Sequence, residues 1–250
     1  MALDAGLMER ARVTGEAVLR VYAWARPTLS FGRHEAVRAH FDAAQLARAG
    51  VAVVRRPTGG RVLLHDHEVT YSISGPSSDG AAPNGAAPNG AAPDGAASAA
   101  DYRAINAFLV SAMARLGIVA TEARGVGGLR PGGATCFAEP SAGELLVGGR
   151  KLVGSAQVRE RGALLQHGSI LVADDQGRIN ALAIAPMTPA LPAATLTAAL
   201  GRIPSYDEVR DALFGALRAS VAVVGPLDSG SVDAARFRAH YADPEWTWRR

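Results

Sequence analysis

Residues 136–171 read CFAEPSAGELLVGGRKLVGSAQVRERGALLQHGSIL. Within them three β-compatible segments, ELLV, KLVGSAQV and ALLQHGSIL, are separated only by Gly-Gly and Glu-Arg-Gly turns. Connections that short join antiparallel neighbours, so the stretch is expected to fold as a meander. The first hairpin then places Lys151 just past its turn, where it doubles back toward the loop that carries Cys136, the chain's single cysteine. A thiol is weakly nucleophilic until it ionises, and an ammonium held nearby favours the thiolate. Such a pair is sufficient to run acyl transfer through a thioester.

The rest of the chain supplies helices and strands around this stretch. Leu3, Leu7 and Met8 have helical spacing in residues 1–15, and LRVYAW (19–24) and RPTLSFG (26–32) read as strands. Val37, Phe41, Ala44 and Leu46 suggest a helix over 34–49 stopped by Gly50. VAVVRRPTGGRVLLHDHEVTYSIS (51–74) is an apolar strand entering a Gly-Gly turn and a second strand leaving it. Ile105, Phe108, Leu109, Ala112, Met113 and Leu116 share one face of a helix over 102–116. After Leu171 the pattern predicts a short helix, a proline-rich connection, helices over 193–201 and 205–222, and a last helix with an aromatic tail in which Trp246 and Trp248 cap the core. Strands and helices do not alternate, which points to an α+β arrangement and away from a doubly wound fold.

Residues 75–100 break the pattern with GAAPN, GAAPN and GAAPD units that carry glycine and proline and no large apolar side chain. They read as a disordered loop insertion within one domain spanning 1–250. GVGGLRPGG (125–133) reads as a second flexible stretch. A hydrophobic fraction of 48% and a charged fraction of 20% are ordinary for a globular chain, and a net charge of +3 is too small to choose between acidic proteins and nucleic acid as partners. A single cysteine excludes an internal disulfide, and there is neither a run of about eighteen apolar residues nor a signal-like N-terminus, so a cytoplasmic protein is expected.

Two separated motifs, RRPTGGRVLLHD (55–66) and GRKLVGSAQVRERGALLQHGSIL (149–171), together resemble the lipoate ligase, octanoyltransferase and biotin ligase superfamily. Its hallmarks are an Arg-Arg-x-Thr/Ser-Gly-Gly loop followed by a histidine, and later a Gly-x-Lys-x-x-Gly-Ser-Ala hairpin. The resemblance extends to MALD at the N-terminus, to Tyr71 and Ser72, and to the terminal WTWRR. It implies mixed, largely antiparallel sheets with surrounding helices, as in the class II aminoacyl-tRNA synthetase and biotin ligase catalytic domains. Family members place a strand before the MALD helix, so the true start is expected upstream of Met1.

Cys136 in a Cys-Phe-x-x-Pro-Ser setting resembles the single-cysteine octanoyl-acyl-carrier-protein:protein N-octanoyltransferases. The resemblance implies that Cys136 carries an acyl thioester and that Lys151 favours its thiolate. It further implies that Arg56, Thr58, Gly59, Gly60, His65, Gly154, Ser155, Ala156, His167 and Gly168 bind substrate. Arg56 would face the phosphopantetheine phosphate of the donor, and backbone N–H groups near Cys136, or of a Gly154-Ser155 turn, would hold the oxyanion. The implied partners are octanoyl-acyl-carrier protein as donor and lipoyl-carrier proteins as acceptors, either the glycine cleavage H protein or 2-oxoacid dehydrogenase E2 lipoyl domains. Nucleic acid, membrane, metal and cofactor have no place in this scheme.

Rival readings remain on sequence alone. An ATP-dependent lipoate ligase without its accessory domain would need ATP and magnesium and no nucleophile, although Arg61 stands where ligases usually keep a third glycine. An amidotransferase between lipoyl domains would use the same cysteine, and a carrier-binding module would keep the fold without turnover. Out of context Cys136 is a small buried hydrophobe, Lys151 a solvated hairpin charge, Gly59 and Gly60 a turn, and His65 and His167 hydrogen-bonded core histidines.

Overall fold

The computed structural model describes residues 1–77, 96–123, 136–137 and 143–249. Helix α1 (Ala2–Thr14) leads to strands β1 (Val18–Tyr22) and β2 (Thr28–Phe31), helix α2 (Ala43–Arg48), and strands β3 (Ala52–Arg55), β4 (Leu63–His65) and β5 (Glu68–Pro76). Helix α3 (Ala96–Arg115) is followed by β6 (Thr121–Glu122), β7 (Leu145–Val147), β8 (Arg150–Glu160) and β9 (Ala163–Leu171). The remainder is helical: α4 (Arg178–Leu182), α5 (Leu196–Leu200), α6 (Tyr206–Ser220), a 3-10 turn at Ser229–Ser231, α7 (Ala235–Ala242) and α8 (Pro244–Trp248).

The meander expected from residues 136–171 is present. Strands β7, β8 and β9 are consecutive antiparallel neighbours, and β9 continues through β5 to β1 in a six-stranded sheet ordered β1-β5-β9-β8-β7-β6. Both hairpins close through two residues with positive φ, Gly148 (55°) and Gly149 (75°), then Arg161 (53°) and Gly162 (79°). Turns of that hand match the right-handed twist of the strands they join, which is why Gly-Gly and Arg-Gly suffice. A smaller sheet, ordered β3-β2-β4, contains the one parallel pair among the described residues, β2 with β3.

Alternation along the strands divides the larger sheet into two different faces. Tyr71, Val153, Ile170 and Leu145 pack against Ile105, Leu109 and Met113 of α3 and against Val209 and Leu213 of α6. Burying each such side chain contributes roughly 1.5–3 kcal/mol. On the other face Ala163 and Leu165 meet Met8 and Ala11 of α1. Further along that same face the residues turn polar. Cross-strand registers line up Tyr22, Thr70, Ser169 and Gly154, and next to them Arg20, Ser72, His167 and Ala156. Thr70, Ser72, His167 and Ser169 of these rungs are buried, Arg20, Tyr22 and Ala156 are half-buried, and several of them line the candidate site.

Several expectations need correction. Only Ala43–Arg48 is helical in the 34–49 stretch, with Asp42 capping the helix through Gln45 N–H at 2.7 Å. The preceding carbonyls of Gly32 and Glu35 are taken by Arg55, at 2.6 and 2.9 Å, so the backbone turns there instead of coiling. Strand β5 runs to Pro76, opposite Ala163, and α3 starts at Ala96, which shortens the insertion from both ends. The repeats at its centre and the 125–133 stretch lie outside the described residues. The C-terminal aromatics do cover a core: Trp248 packs edge-on against Phe31 at 5.7 Å, and Trp246 Nε1 donates to the Arg55 carbonyl at 3.1 Å.

Arg55 is fully buried, and its guanidinium also donates to Thr247 O at 3.0 Å and Arg249 O at 2.7 Å, pinning the tail to the small sheet. Arg55→Ala should therefore lower unfolding stability by about 3 kcal/mol or more, since several charge-assisted bonds to buried carbonyls are lost together. Limited proteolysis should then cut first within residues 243–249; equal protease resistance in the variant would contradict this account.

Candidate active site

Lys151 opens β8, opposite Leu146, at a point where the pairing of β7 with β8 shifts register. That irregularity turns a lysine next to a surface turn into a side chain only 4% exposed. Its Nζ donates to the Cys136 carbonyl at 2.6 Å and lies 3.6 Å from Cys136 Sγ, 2.7 Å from Glu144 Oε1 and 4.6 Å from the Phe137 ring centre. Cys136 is half-buried, and its N–H donates to Val62 O at 2.9 Å, which ties it to the entrance of β4. Gly154 makes the approach possible. A Cβ there would stand 3.0 Å from Lys151 Cε, 3.3 Å from Nζ and 3.4 Å from Cys136 Sγ. Gly154 and Ser155 lie inside the eleven-residue strand β8, so the expected Gly-Ser turn does not exist, and the Cys136 N–H is already engaged.

Beside this pair runs a cleft with about 510 Å³ of empty space including its open mouth. It is a slim channel. Of the residues singled out in the sequence, Arg56, Gly60, His65, Cys136, Gly154, Ser155, Ala156, His167 and Gly168 line it, while Thr58, Gly59 and Lys151 lie outside its wall.

Hydrogen bonds fix the polar groups of the wall. His167 Nε2 bonds to Thr58 Oγ1 at 2.6 Å, and burial pushes its pKa down to about 3, so the ring is neutral. His65 bonds through Nε2 to Ser30 Oγ at 2.7 Å and through Nδ1 to Glu68 Oε1 at 3.1 Å, and its ring stacks on Trp24 at 4.3 Å. Tyr71 receives an N–H from Gln166 at 3.1 Å, which leaves its hydroxyl proton for Ser155 Oγ at 2.7 Å. Burial raises the phenol to about 12, so that proton stays in place. In the MALD segment, burial acts to raise the Asp4 carboxyl, yet positive neighbours including Arg20 hold it below the usual value, and Ser72 donates to it at 2.9 Å. The MALD and Tyr-Ser segments therefore meet in one buried contact.

Arg56 lines the cleft and also braces the loop beside it. Its guanidinium donates to Ser30 O at 2.8 Å, Ser30 Oγ at 2.5 Å, Gly59 O at 3.2 Å and Arg61 O at 2.8 Å. Carbonyls of the Gly59-Gly60 loop outside the strand ladders gain donors in this way. Glu144 and Trp24 were not found from the sequence. Glu144 reads there as the first residue of a strand, and its contact with Lys151 across the hairpin is tertiary. Outside the cleft Asp66, His67 and Asp175 bring ligand atoms within 4.8 Å of one another, but Arg178 already supplies the cation beside Asp66.

The two sheets and the helices around them have the lipoate-protein-ligase fold. A putative lipoate protein ligase from T. acidophilum with bound lipoic acid superposes with a TM-score of 0.73 at 20% identity, over 99% of this chain and 92% of that one. Lipoate-protein ligase A bound with ATP superposes at 0.75 and 21% identity with the same coverage. Residues 1–218 match the lipoyl protein ligase A/B catalytic domain, and the chain belongs to that family. Curated relatives include octanoyltransferase LipM of Kyrpidia tusciae, 42% identical over 183 residues (69% of this chain, 61% of the relative), and that of Carboxydothermus hydrogenoformans, 39% identical over 184 (72% and 62%). These matches span about three-fifths of the relatives' length. LipM of Moorella thermoacetica aligns at 33% identity over all of this chain and 93% of its own.

Two outcomes test the geometry. Gly154→Ala should push Lys151 from Cys136 and slow alkylation of the thiol by iodoacetamide at neutral pH about tenfold or more, the scale set by losing one ammonium next to a thiolate; unchanged alkylation would mean the approach is not needed. For His167, the folded state stays neutral down to about pH 3 while the unfolded ring binds a proton near 6.5, so stability should fall as pH drops from 6.5 toward 3. His167→Gln should flatten that acid limb in denaturant titrations, and an identical limb would assign the loss to other groups.

Proposed function

We propose that this protein is a protein N-octanoyltransferase of lipoate assembly, acting as one catalytic domain. The Cys136 thiolate attacks the thioester of octanoyl-acyl-carrier protein, the carrier sulfur leaves as a thiolate that takes a proton from water, and the octanoyl group stays on Sγ. A neutral lysine amine of a lipoyl-carrier protein, the glycine cleavage H protein or a dehydrogenase lipoyl domain, then forms the amide C–N bond as the C–S bond breaks, Cys136 leaves as a thiolate, and the amine's surplus proton passes to water. Exchange between two thioesters is nearly isoenergetic and transfer to an amine is downhill, so the enzyme needs no ATP and contributes positioning and charge.

The observation that carries this reading is the 3.6 Å approach of Lys151 Nζ to the sulfur of the only cysteine, at the edge of an apolar channel. In this reading the Nζ charge faces the carbonyl oxygen as it turns anionic during attack. The names of the relatives point the same way, and mild basic charge suits acidic carrier partners.

Incubation with octanoyl-acyl-carrier protein should add one octanoyl mass that hydroxylamine removes, and Cys136→Ser should abolish it. Lys151→Met should slow loading about a hundredfold, the usual scale for losing one group that faces a developing oxyanion. An unlabelled enzyme that instead releases AMP from ATP when mixed with octanoate and acceptor would overturn the reading in favour of a ligase.

A further inference from the structure

The acyl-enzyme proposed above faces a chemical hazard. Lys151 Nζ lies 3.6 Å from Sγ, so an acyl carbon bonded to that sulfur falls within reach of the amine. Reacting atoms held about 3–3.5 Å apart behave as if at effective concentrations of about 10⁵ M or more. A neutral amine there would form a C–N bond to the acyl carbon as the C–S bond breaks, its proton passing to the departing Cys136 sulfur. The resulting amide is more stable than the thioester and would leave the enzyme dead.

While Cys136 is a thiolate it supports the ammonium charge of Lys151. Acylation makes the sulfur neutral and removes that support. A buried ammonium with no anion beside it gives up its proton, because desolvation disfavours the charged form. Glu144 remains. Its Oε1 is 2.7 Å from Nζ, its side chain is as buried as that of Lys151, and nothing in the reaction changes its charge.

We infer that Glu144 keeps Lys151 protonated through the acyl-enzyme stage, and so blocks migration of the acyl group from Cys136 to Lys151 Nζ. The carboxylate is well placed to act continuously. Gly143 precedes it at φ 82°, Asn106 of α3 donates to the Gly143 carbonyl at 2.5 Å, and a Cβ on Gly143 would stand 2.6 Å from the Tyr102 ring. Helix α3 thus clamps the backbone that aims Glu144 at Lys151. A buried ion pair is not needed for stability, since apolar residues of similar shape often do as well. Charge control is what a carboxylate adds here.

The test uses Glu144→Gln, which keeps the shape and removes the charge, together with Glu144→Asp. After loading from octanoyl-acyl-carrier protein, each protein is treated with hydroxylamine and mapped by peptide mass. Wild-type protein should carry only the labile adduct on Cys136. Glu144→Gln should build up a resistant octanoyl group on Lys151 at least about tenfold faster than wild type, more so as pH rises from 7 to 9, because the amine then has no carboxylate beside it. Glu144→Asp should suppress it in part. A loaded Glu144→Gln protein whose adduct stays entirely labile at pH 9 overturns the inference; if that variant does not fold, Glu144→Asp with no resistant adduct at pH 9 does so. Wild-type protein that takes no octanoyl on Cys136 would instead overturn the transferase reading itself.

Discussion

An ammonium group removed from water costs several kcal/mol unless charges and acceptors replace its hydration. At the head of β8 the Lys151 Nζ has a carbonyl at 2.6 Å, a carboxylate oxygen at 2.7 Å, a sulfur at 3.6 Å and the face of Phe137. Each of these arrives from a different place. The carbonyl and sulfur come from the Cys136 segment, the carboxylate from the residue before β7, and the space from the absent side chain of Gly154. The two-residue Gly148-Gly149 turn sets how far β7 and β8 are offset, and α3 fixes Gly143. Folding of the meander and assembly of the site are therefore one event: no smaller part of the chain could bury Lys151 without leaving its charge unanswered.

The second constraint is the polar face of the larger sheet. Strand β5 alternates Val69, Tyr71 and Ile73 toward α3 and α6 with Thr70, Ser72 and Ser74 toward α1. Hydroxyls and imidazoles on that face are buried, and they persist because they satisfy one another: His65 with Ser30 and Glu68, His167 with Thr58, Asp4 with Ser72 and Arg20. A channel walled in good part by paired groups offers a ligand fewer free donors and acceptors, although Ser74 Oγ and Glu68 Oε2 have no hydrogen-bond partner among the described residues. What it presents is shape and apolar surface, which suits an alkyl chain better than a sugar or a base.

The parts legible in the sequence are those set by local geometry. Two short turns between apolar segments fixed three strands and their order, and the hairpin register brought Lys151 back toward Cys136. The parts that were not legible depend on distant partners. The 34–49 helix failed because Arg55, twenty residues on, competes for carbonyls that the helix would have used. Gly154-Ser155 looked like a turn because glycine followed by serine usually is one, whereas here the glycine makes room for two side chains from elsewhere. That Arg56 also braces the Gly59-Gly60 loop was not legible, because it depends on loop carbonyls that join no ladder. Glu144 gave no local signal at all: it is one acidic residue at a strand start, and only the fold shows what stands opposite.

The way Cys136 is held separates it from the rest of the site. Lys151, Gly154, Ser155 and His167 are locked in a ladder of strands, so their spacing cannot vary much without unfolding the sheet. Cys136 belongs to no strand. It is tied by its own N–H to Val62 O, by the Phe137 carbonyl to Leu191 N–H, and by burial of Phe137 against Leu63, Leu171 and Ala193. A thiol held on such a segment is independent of the ladder, which keeps the lysine and the cleft in register whatever residue stands at 136. The cleft and the cation are therefore properties of the sheet, and the thiol is a property of what is laid across its end.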